Sequence, residues 1–187
     1  MRIVILGPPG VGKGTQAGLL AKCLSIPHIS TGEMMRQAAA SGSVLGAKVK
    51  TFLDRGELVP DEVMIDVVRA RLEEADCSVG FLLDGFPRTV PQAEALDRVL
   101  SEMGVQLSSV IDLFVPESVL LERIAKRGAS GSGRSDDRAD VAKKRLEVYQ
   151  AQTAPVAAYY EKQGVLKRVD SSGTIEEVHA AVLDAVS

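Results

Sequence analysis

The residues best suited to chemistry lie near the start of the chain, where the stretch GPPGVGKGT at residues 7–15 follows an apolar run at residues 2–6. Glycine has no Cβ, so the backbone N–H groups of such a stretch can turn inward and approach phosphate oxygens closely. Lys13 adds a mobile cation, and a helix that begins after the loop adds the positive end of its dipole. A strand, a glycine-rich turn, a lysine and a helix in this order predict a phosphate-binding loop formed by Gly10, Val11, Gly12, Lys13, Gly14 and Thr15.

A second chemical signal is Asp84, which ends the apolar run at residues 80–84. An acid at the carboxyl end of a buried strand faces the crevice in which open α/β sheets bind ligands. The alternative is a turn or helix-capping role before Gly85. Pro87 stiffens the turn that follows, and Arg88 places a planar guanidinium beside the acid, which suits the phosphate of a second substrate.

Arginines in the second half of the chain form a third signal. Arg123 and Arg127 are four residues apart near the predicted end of a helix, so both project from one face, although pairing with the helix dipole would explain them equally. Arg134 follows the glycine- and serine-rich stretch at residues 128–133, and Arg145 lies in the next predicted helix. Charge runs are usually solvated, but phosphoryl transfer needs cations around the migrating group.

The elements that must position these residues alternate along the chain, which predicts a mainly parallel sheet with helices on both faces. Strands are predicted at residues 2–6, 26–29, 80–84, 110–115 and 165–169. Helices are predicted between them, including one over 15–24 with Leu19, Leu20 and Cys23 on its apolar face and one long helix over about 140–162. The fold class is therefore α/β, a three-layer fold with a five-stranded parallel sheet, and no linker indicates a second domain.

Composition restricts the possible functions. A formal net charge of −3 on 187 residues argues against a nucleic acid partner, so any positive charge that serves a phosphate must be local. Cys23 and Cys77 are too few for a zinc site or a disulfide framework and are expected to be buried thiols in a reducing compartment. No segment is long enough to span a membrane and no signal peptide is evident, so a cytoplasmic protein is expected.

These residues together resemble the adenylate kinase family across essentially the whole chain. The resemblance is carried by residues 7–15, STGE at 30–33, LLDGFPRT at 82–89, GRSDD at 133–137 and KKRL at 143–146. It implies a P-loop kinase core over residues 1–187, with an AMP-binding insertion at about 30–59 and a lid at about 126–137. It also implies reversible, magnesium-dependent phosphoryl transfer from ATP to AMP, which gives two ADP, and a monomeric protein.

The resemblance also implies roles for individual residues. Catalysis would involve Lys13, Asp84, Arg88, Arg123, Arg134 and Arg145. ATP would be held by residues 10–15, by Arg127 and by the backbone of Gly173. AMP would be held by Thr31, Arg36, Glu57, Leu58, Val59, Gly85, Phe86, Pro87, Arg88, Gln92, Arg134 and Arg145. Asp84 would organise a water of the Mg²⁺ that accompanies ATP, whereas Gly14 stands where the motif has Ser or Thr, which leaves open whether Thr15 ligates the metal directly.

Two further features refine the expected mechanism. The acceptor oxygen of AMP is already ionised near neutral pH, so no general base is needed, and His28 and His179 are expected to be structural. About ten residues separate Arg127 from Arg138, too few for the long lid with a zinc or polar network found in many bacterial members. A short-lid form without structural zinc is therefore expected.

Other functions with the same loop must be weighed against this one. A kinase for UMP or CMP would share the fold, and the adenine-specific resemblance rests on Thr31, Thr89 and Gln92, whose amide can pair with both the N6–H and N1 of adenine. A small GTPase switch would use an Asn-Lys-x-Asp motif to recognise guanine, and this sequence contains no asparagine.

Overall fold

Five short apolar segments pair into one parallel sheet in the computed structural model, which describes residues 1–129 and 139–187. The sheet order is β2-β3-β1-β4-β5. The strands are β1 (Arg2–Leu6), β2 (His28–Ser30), β3 (Phe81–Asp84), β4 (Ser109–Phe114) and β5 (Leu166–Asp170). The predicted five-stranded parallel sheet is confirmed; β1 has the predicted bounds, and the bounds of the other strands differ by at most two residues.

Helices cover both faces of this sheet, as a parallel sheet requires. They are α1 (Lys13–Leu24), α2 (Thr31–Ala40), α3 (Val44–Arg55), α4 (Asp61–Leu72), α5 (Val90–Glu102), α6 (Glu117–Ala129), α7 (Ala139–Val148), α8 (Ala154–Lys162) and α9 (Ile175–Val186). Val4 and Leu6 of β1 pack into a core with α2, α3, α4, α5 and α8, whereas Ile3 and Ile5 pack into a second core with α1, α6, α7 and α9. The central strand therefore separates two apolar layers, which completes the three-layer fold.

The strand register brings the chemical residues to one edge of the sheet. Asp84 of β3 lies opposite Ile5 of β1 and opposite Ser30 of β2. Parallel strands all end at the same edge, so the loop after β1, the turn after β3 and the start of α2 lie side by side.

The predicted helix over about 140–162 is present, but one wider turn interrupts its α-helical hydrogen bonding. A wider π-helical turn at Tyr149–Thr153 separates α7 from α8. Pro155 lies in the first turn of α8 and has no backbone N–H, and its ring crowds the carbonyl one turn earlier. A wider turn accommodates this loss without ending the helix, because the chain continues directly into α8.

The predicted apolar face of α1 was partly wrong. The buried residues of this helix are Gln16, Ala17, Leu20 and Ala21. Leu19 is 38% exposed and Cys23 is also exposed, so Cys23 is not the buried thiol that we expected, whereas Cys77 is buried. The helix therefore buries only a narrow stripe of its surface, and this leaves the side chains of Leu19 and Cys23 exposed.

The expected insertion at about 30–59 contains α2 and α3, which pack against each other. The expected lid at about 126–137 lies mostly outside the described residues, so its extent stays a prediction. None of the helices in the described ranges is long and apolar enough to cross a membrane.

Adjacent leucines of α1 allow a matched test of this packing. Leu20 is 0% exposed in the second core, so we expect Leu20→Ala to lower the free energy of unfolding by about 2–5 kcal/mol, through lost burial and the cavity left behind. Leu19→Ala makes the same change on the exposed side of the helix and should cost less than about 1 kcal/mol. Urea titration of both variants measures the difference, and equal losses would contradict the assigned helix face.

Candidate functional site

The loop between β1 and α1 adopts backbone conformations that favour glycine. Gly7, Gly10 and Gly12 have φ angles of 136°, 89° and 105°. A Cβ at Gly7 would lie 2.5 Å from the carbonyl oxygen of Leu113, and one at Gly10 would lie 2.8 Å from a side-chain carbon of Ile124. Glycine is therefore required at these two positions both for the turn and for close packing against β4 and α6.

Lys13 is the first residue of α1, and its side chain folds back over this loop. Its Nζ donates to the carbonyl oxygens of Gly7 at 2.6 Å and of Pro8 at 2.9 Å. These bonds hold the ammonium group beside the loop where a bound phosphate would lie. The predicted phosphate-binding geometry of strand, glycine turn, lysine and helix is thus present in the structure.

Asp84 is 9% exposed and lies where β3 reaches the cleft. His28 Nε2 is 3.6 Å from its Oδ2 atom. Burial by itself would raise the pKa of Asp84, but the neighbouring His28 imidazole and the positive charges of Lys13 and Arg88 outweigh it and hold the pKa below its usual range. Asp84 is therefore a buried, ionised carboxylate at the bottom of the cleft.

The turn after Asp84 positions Arg88. Arg88 Nε donates to the carbonyl oxygen of Gly85 at 2.9 Å, and Thr31 Oγ donates to the carbonyl oxygen of Asp84 at 3.3 Å. The peptide bond between Phe86 and Pro87 within this turn is cis. Gly85 has a φ angle of 84°, and a Cβ there would lie 2.8 Å from the Thr31 hydroxyl and 3.2 Å from the Arg88 guanidinium.

One cleft collects the predicted phosphate-binding groups. Its lining includes four cationic side chains from four different helices or turns, together with the acid of β3: Lys13, Arg36, Arg88, Arg145 and Asp84. Gly10, Gly12, Gly14 and Thr15 of the loop line the same cleft. Such a cluster of cations around a glycine-rich loop is typical of a site that binds several phosphate groups.

A smaller pocket, with about 380 Å³ of empty space that includes open solvent, adjoins this cleft and contains much of the predicted AMP site. The predicted residues that line it are Thr31, Glu57, Leu58, Val59, Gly85, Arg88 and Gln92. Apolar side chains that sequence analysis missed, Met35, Leu53 and Met64, complete its wall. An apolar pocket with a few convergent polar groups suits a flat base held by its polar edge.

The amide of Gln92 is 2% exposed and bonded at both ends. Its Oε1 accepts from the backbone N–H of Arg88 at 2.7 Å, and its Nε2 donates to Asp61 Oδ1 at 2.7 Å. An amide has a second N–H and a second acceptor lone pair, so these two bonds leave one donor and one acceptor site for a ligand.

Arg123 joins the phosphate loop to the loop after β5. Its guanidinium donates to the carbonyl oxygens of Val11 at 3.2 Å and of Ser171 at 2.8 Å, and Ser171 Oγ donates to the same Val11 oxygen at 2.8 Å. Gly173 follows in that loop, where a Cβ would lie 2.7 Å from Glu177 of the capping box that begins α9. These contacts fix the loop near which an ATP base is expected.

Some predicted residues are not brought into the cleft or cannot be described. Phe86 is 1% exposed and packs in the first core, whereas Pro87 lines a neighbouring part of the cleft. Arg127 lies within α6, but its side chain is outside what the structure describes, and Arg134 lies outside the described residues altogether. The roles of both arginines stay predictions.

Sequence analysis missed two polar residues of this region. We expected His28 to be structural, yet its side chain lines the cleft beside Asp84. Asp61 had no predicted role in the site, yet it bonds Gln92 from 31 residues away. His28 lies in an edge strand two residues before Ser30, and this position is only a weak sequence signal that its side chain lines the cleft. No local sequence pattern connects Asp61 to Gln92.

Comparison with known proteins gives one consistent result. A family model described as adenylate kinase matches residues 5–165. An adenylate kinase of Thermobifida fusca is 49% identical over 186 residues, which cover 100% of this chain and 98% of that protein. An adenylate kinase of Carboxydothermus hydrogenoformans is 45% identical, over 100% of this chain and 99% of that protein. One of Xanthomonas campestris is 51% identical, over 95% of this chain and 95% of that protein.

The Gly85 turn generates a stability prediction. Gly85→Ala places a Cβ against Thr31 and Arg88 at a positive φ, so we expect it to lower the free energy of unfolding by about 1–3 kcal/mol. Gly18→Ala is the control, because nothing lies within 4 Å of a Cβ at this helical position. It should raise the free energy of unfolding by about 0.5–1 kcal/mol. A neutral Gly85→Ala in thermal and urea unfolding would contradict the turn geometry.

Proposed function

We infer that this chain, which belongs to the adenylate kinase family, catalyses the reversible transfer of a phosphoryl group from ATP to AMP, giving two ADP. It is a nucleoside monophosphate kinase by its family model and by relatives that match nearly its full length. The observation that carries this inference is the cleft that joins the glycine-rich loop and four cations to the adjoining pocket lined by Gln92.

We propose that the two substrates meet at the cationic part of the cleft. Residues 10–15 would hold the ATP phosphates with their backbone N–H groups, and Arg127 and the backbone of Gly173 would flank the rest of ATP. The base of AMP would enter the pocket that Gln92 lines, and its phosphate would meet Arg36 and Arg88. The close approach of pocket and cleft at Gly85 and Arg88 supports this arrangement, since both residues line both spaces.

The chemistry that we propose needs charge neutralisation and alignment rather than a base. An AMP phosphate oxygen is largely ionised near neutral pH and can attack the terminal phosphorus of ATP directly, while the bond to the bridging oxygen breaks. Lys13, Arg88 and Arg145 line the region where negative charge spreads over the transferred group. Arg123 and Arg134 are proposed to assist. Fixed cations in a site that excludes water stabilise such a transition state strongly.

The residues present fit a magnesium ion that accompanies ATP. Mg²⁺ in kinases keeps several waters and uses one or two carboxylates together with substrate phosphates. Asp84 supplies one carboxylate, which its positively charged neighbours keep ionised. We propose that Asp84 holds a water of the metal, and that the metal, when bound, neutralises phosphate charge.

Closure of the insertion and of the lid would exclude water that otherwise hydrolyses ATP. The relative from Carboxydothermus hydrogenoformans aligns over 212 residues, more than the 187 of this chain, so it has segments that this chain lacks. The short lid without structural zinc stays a prediction. A monomeric state, a cytoplasmic location and the lack of nucleic acid or membrane partners stay predictions.

The direct test is a coupled assay of ADP formation from ATP and AMP. We expect activity with magnesium and its loss when a chelator removes the metal. UMP and CMP serve as alternative acceptors, and a preference for either over AMP would replace the adenylate kinase assignment by that of a pyrimidine nucleotide kinase.

Lys13→Met tests the phosphate loop. An uncharged side chain cannot follow the migrating phosphoryl group, so kcat should fall by about 10²- to 10³-fold while the fold stays intact. Lys22→Met is the control, because Lys22 is an exposed lysine in the last turn of the same helix. A folded Lys13→Met protein that retains more than about a tenth of the wild-type turnover would exclude this role.

Gln92→Leu tests base recognition. Loss of a base-specific hydrogen-bond pair costs about 1–3 kcal/mol, so the KM for AMP should rise about ten- to a hundredfold while the KM for ATP stays near wild type. Gln37→Leu, on the exposed side of α2, is the control. If the KM values for AMP and ATP changed together, or neither changed, Gln92 would not be the adenine-binding residue.

A further inference from the structure

The amide of Gln92 is held between two groups that differ in the hydrogen bonds they can make. The backbone N–H of Arg88 can only donate, and it bonds Oε1 at 2.7 Å. The carboxylate of Asp61, when ionised, can only accept, and it bonds Nε2 at 2.7 Å. A rotation of the amide by half a turn would place two donors together at one end and two acceptors at the other. The surroundings therefore select one amide orientation.

Asp61 itself is positioned by a second bond. Its other oxygen, Oδ2, accepts from the hydroxyl of Thr89 at 2.9 Å, and Thr89 Oγ in turn accepts from the backbone N–H of Gln92 at 3.2 Å. Thr89 is the N-cap of α5, and Asp61 is the first residue of α4. The two helix starts thus form one closed hydrogen-bonded group behind the Gln92 amide.

Asp61 acts on the pocket through Gln92. Gln92 lines the 380 Å³ pocket, whereas Asp61 is not among the described residues that line it. The amide is 2% exposed, so water offers little competition for its remaining donor and acceptor sites. A buried amide with a fixed orientation presents a fixed pattern of one donor and one acceptor to any base in the pocket.

The orientation matters because two purines present opposite patterns on the edge that such an amide reads. Adenine has a donor at N6 and an acceptor at N1, whereas hypoxanthine has an acceptor at O6 and a donor at N1. An amide that turns over freely can match either edge, and a fixed amide matches only one.

We propose that Asp61 is a positioning residue that sets acceptor specificity, because its carboxylate fixes the Gln92 amide in the orientation that accepts AMP and rejects 6-oxopurine nucleotides such as IMP. This inference rests on the proposed function, since it takes AMP as the acceptor and Gln92 as its base reader. Asp61 touches no substrate; it determines which end of the amide is the donor.

The test compares Asp61→Asn with Glu62→Gln in the full-length protein. Both variants remove one negative charge from the first turn of α4, but Glu62 is exposed on that turn. An asparagine whose oxygen accepts from Thr89, as aspartate does, turns its NH2 towards Gln92 as a donor; turned over, it offers Gln92 an acceptor and loses the bond from the Thr89 hydroxyl to an acceptor. Initial rates with AMP and with IMP at saturating ATP give kcat/KM for each acceptor, and thermal unfolding and the KM for ATP are measured alongside.

We expect Asp61→Asn to raise the ratio of kcat/KM for IMP to that for AMP about tenfold, with the KM for ATP unchanged, whereas Glu62→Gln keeps the wild-type ratio. An unchanged ratio in Asp61→Asn overturns the proposal. A parallel loss with both acceptors, or a protein that unfolds far below Glu62→Gln, also overturns it, because the carboxylate would then be needed for structure alone. A wild-type protein that does not phosphorylate AMP would instead overturn the proposed function itself.

Discussion

The structure depends on one electrostatic arrangement, the buried carboxylate of Asp84 among positive groups at the edge of the sheet. A buried charge without partners is expensive, and here the positive charges of Lys13 and Arg88 and the neighbouring His28 imidazole offset it. The same arrangement keeps cationic side chains together in a narrow cleft, where they would otherwise repel one another. Carbonyl oxygens of the glycine-rich loop hold Lys13 in the same way. The end of β3, the start of α1 and the turn before α5 are thus linked by the balance of charge at this edge.

The proposed phosphate-binding and base-binding functions are joined through a short segment of chain. Arg88 lines the phosphate cleft with its guanidinium, while its backbone N–H holds the amide that lines the base pocket. A shift of the turn at Gly85 would therefore disturb both functions at once. On the other side of the sheet, hydrogen bonds of Arg123 and Ser171 connect the glycine-rich loop to the loop before α9, so the two segments expected to contact ATP are linked directly.

Several features were predictable from the sequence because they are local. The glycine-rich loop, the acid that ends β3 and Arg88 four residues later lie on short segments whose spacing fixes their geometry. Alternation of strands and helices predicted the parallel sheet and both helical layers. The interrupted helix at Tyr149–Thr153 was missed, although Pro155 is a local cause, because a proline in a helical pattern indicates a disturbance without specifying its form.

The sequence by itself therefore determined the fold class, the phosphate loop and the order of the chemical residues along the chain. Only the tertiary structure decided which groups meet across long separations. Asp61 reaches Gln92 over 31 residues, and Arg123 reaches Val11 over 112, through contacts that no periodic pattern encodes. The tertiary structure also decided that the side chains of Leu19 and Cys23 are exposed. The physical reason is that burial and partner choice depend on how whole layers pack, whereas a turn or a strand depends mainly on its own neighbouring residues.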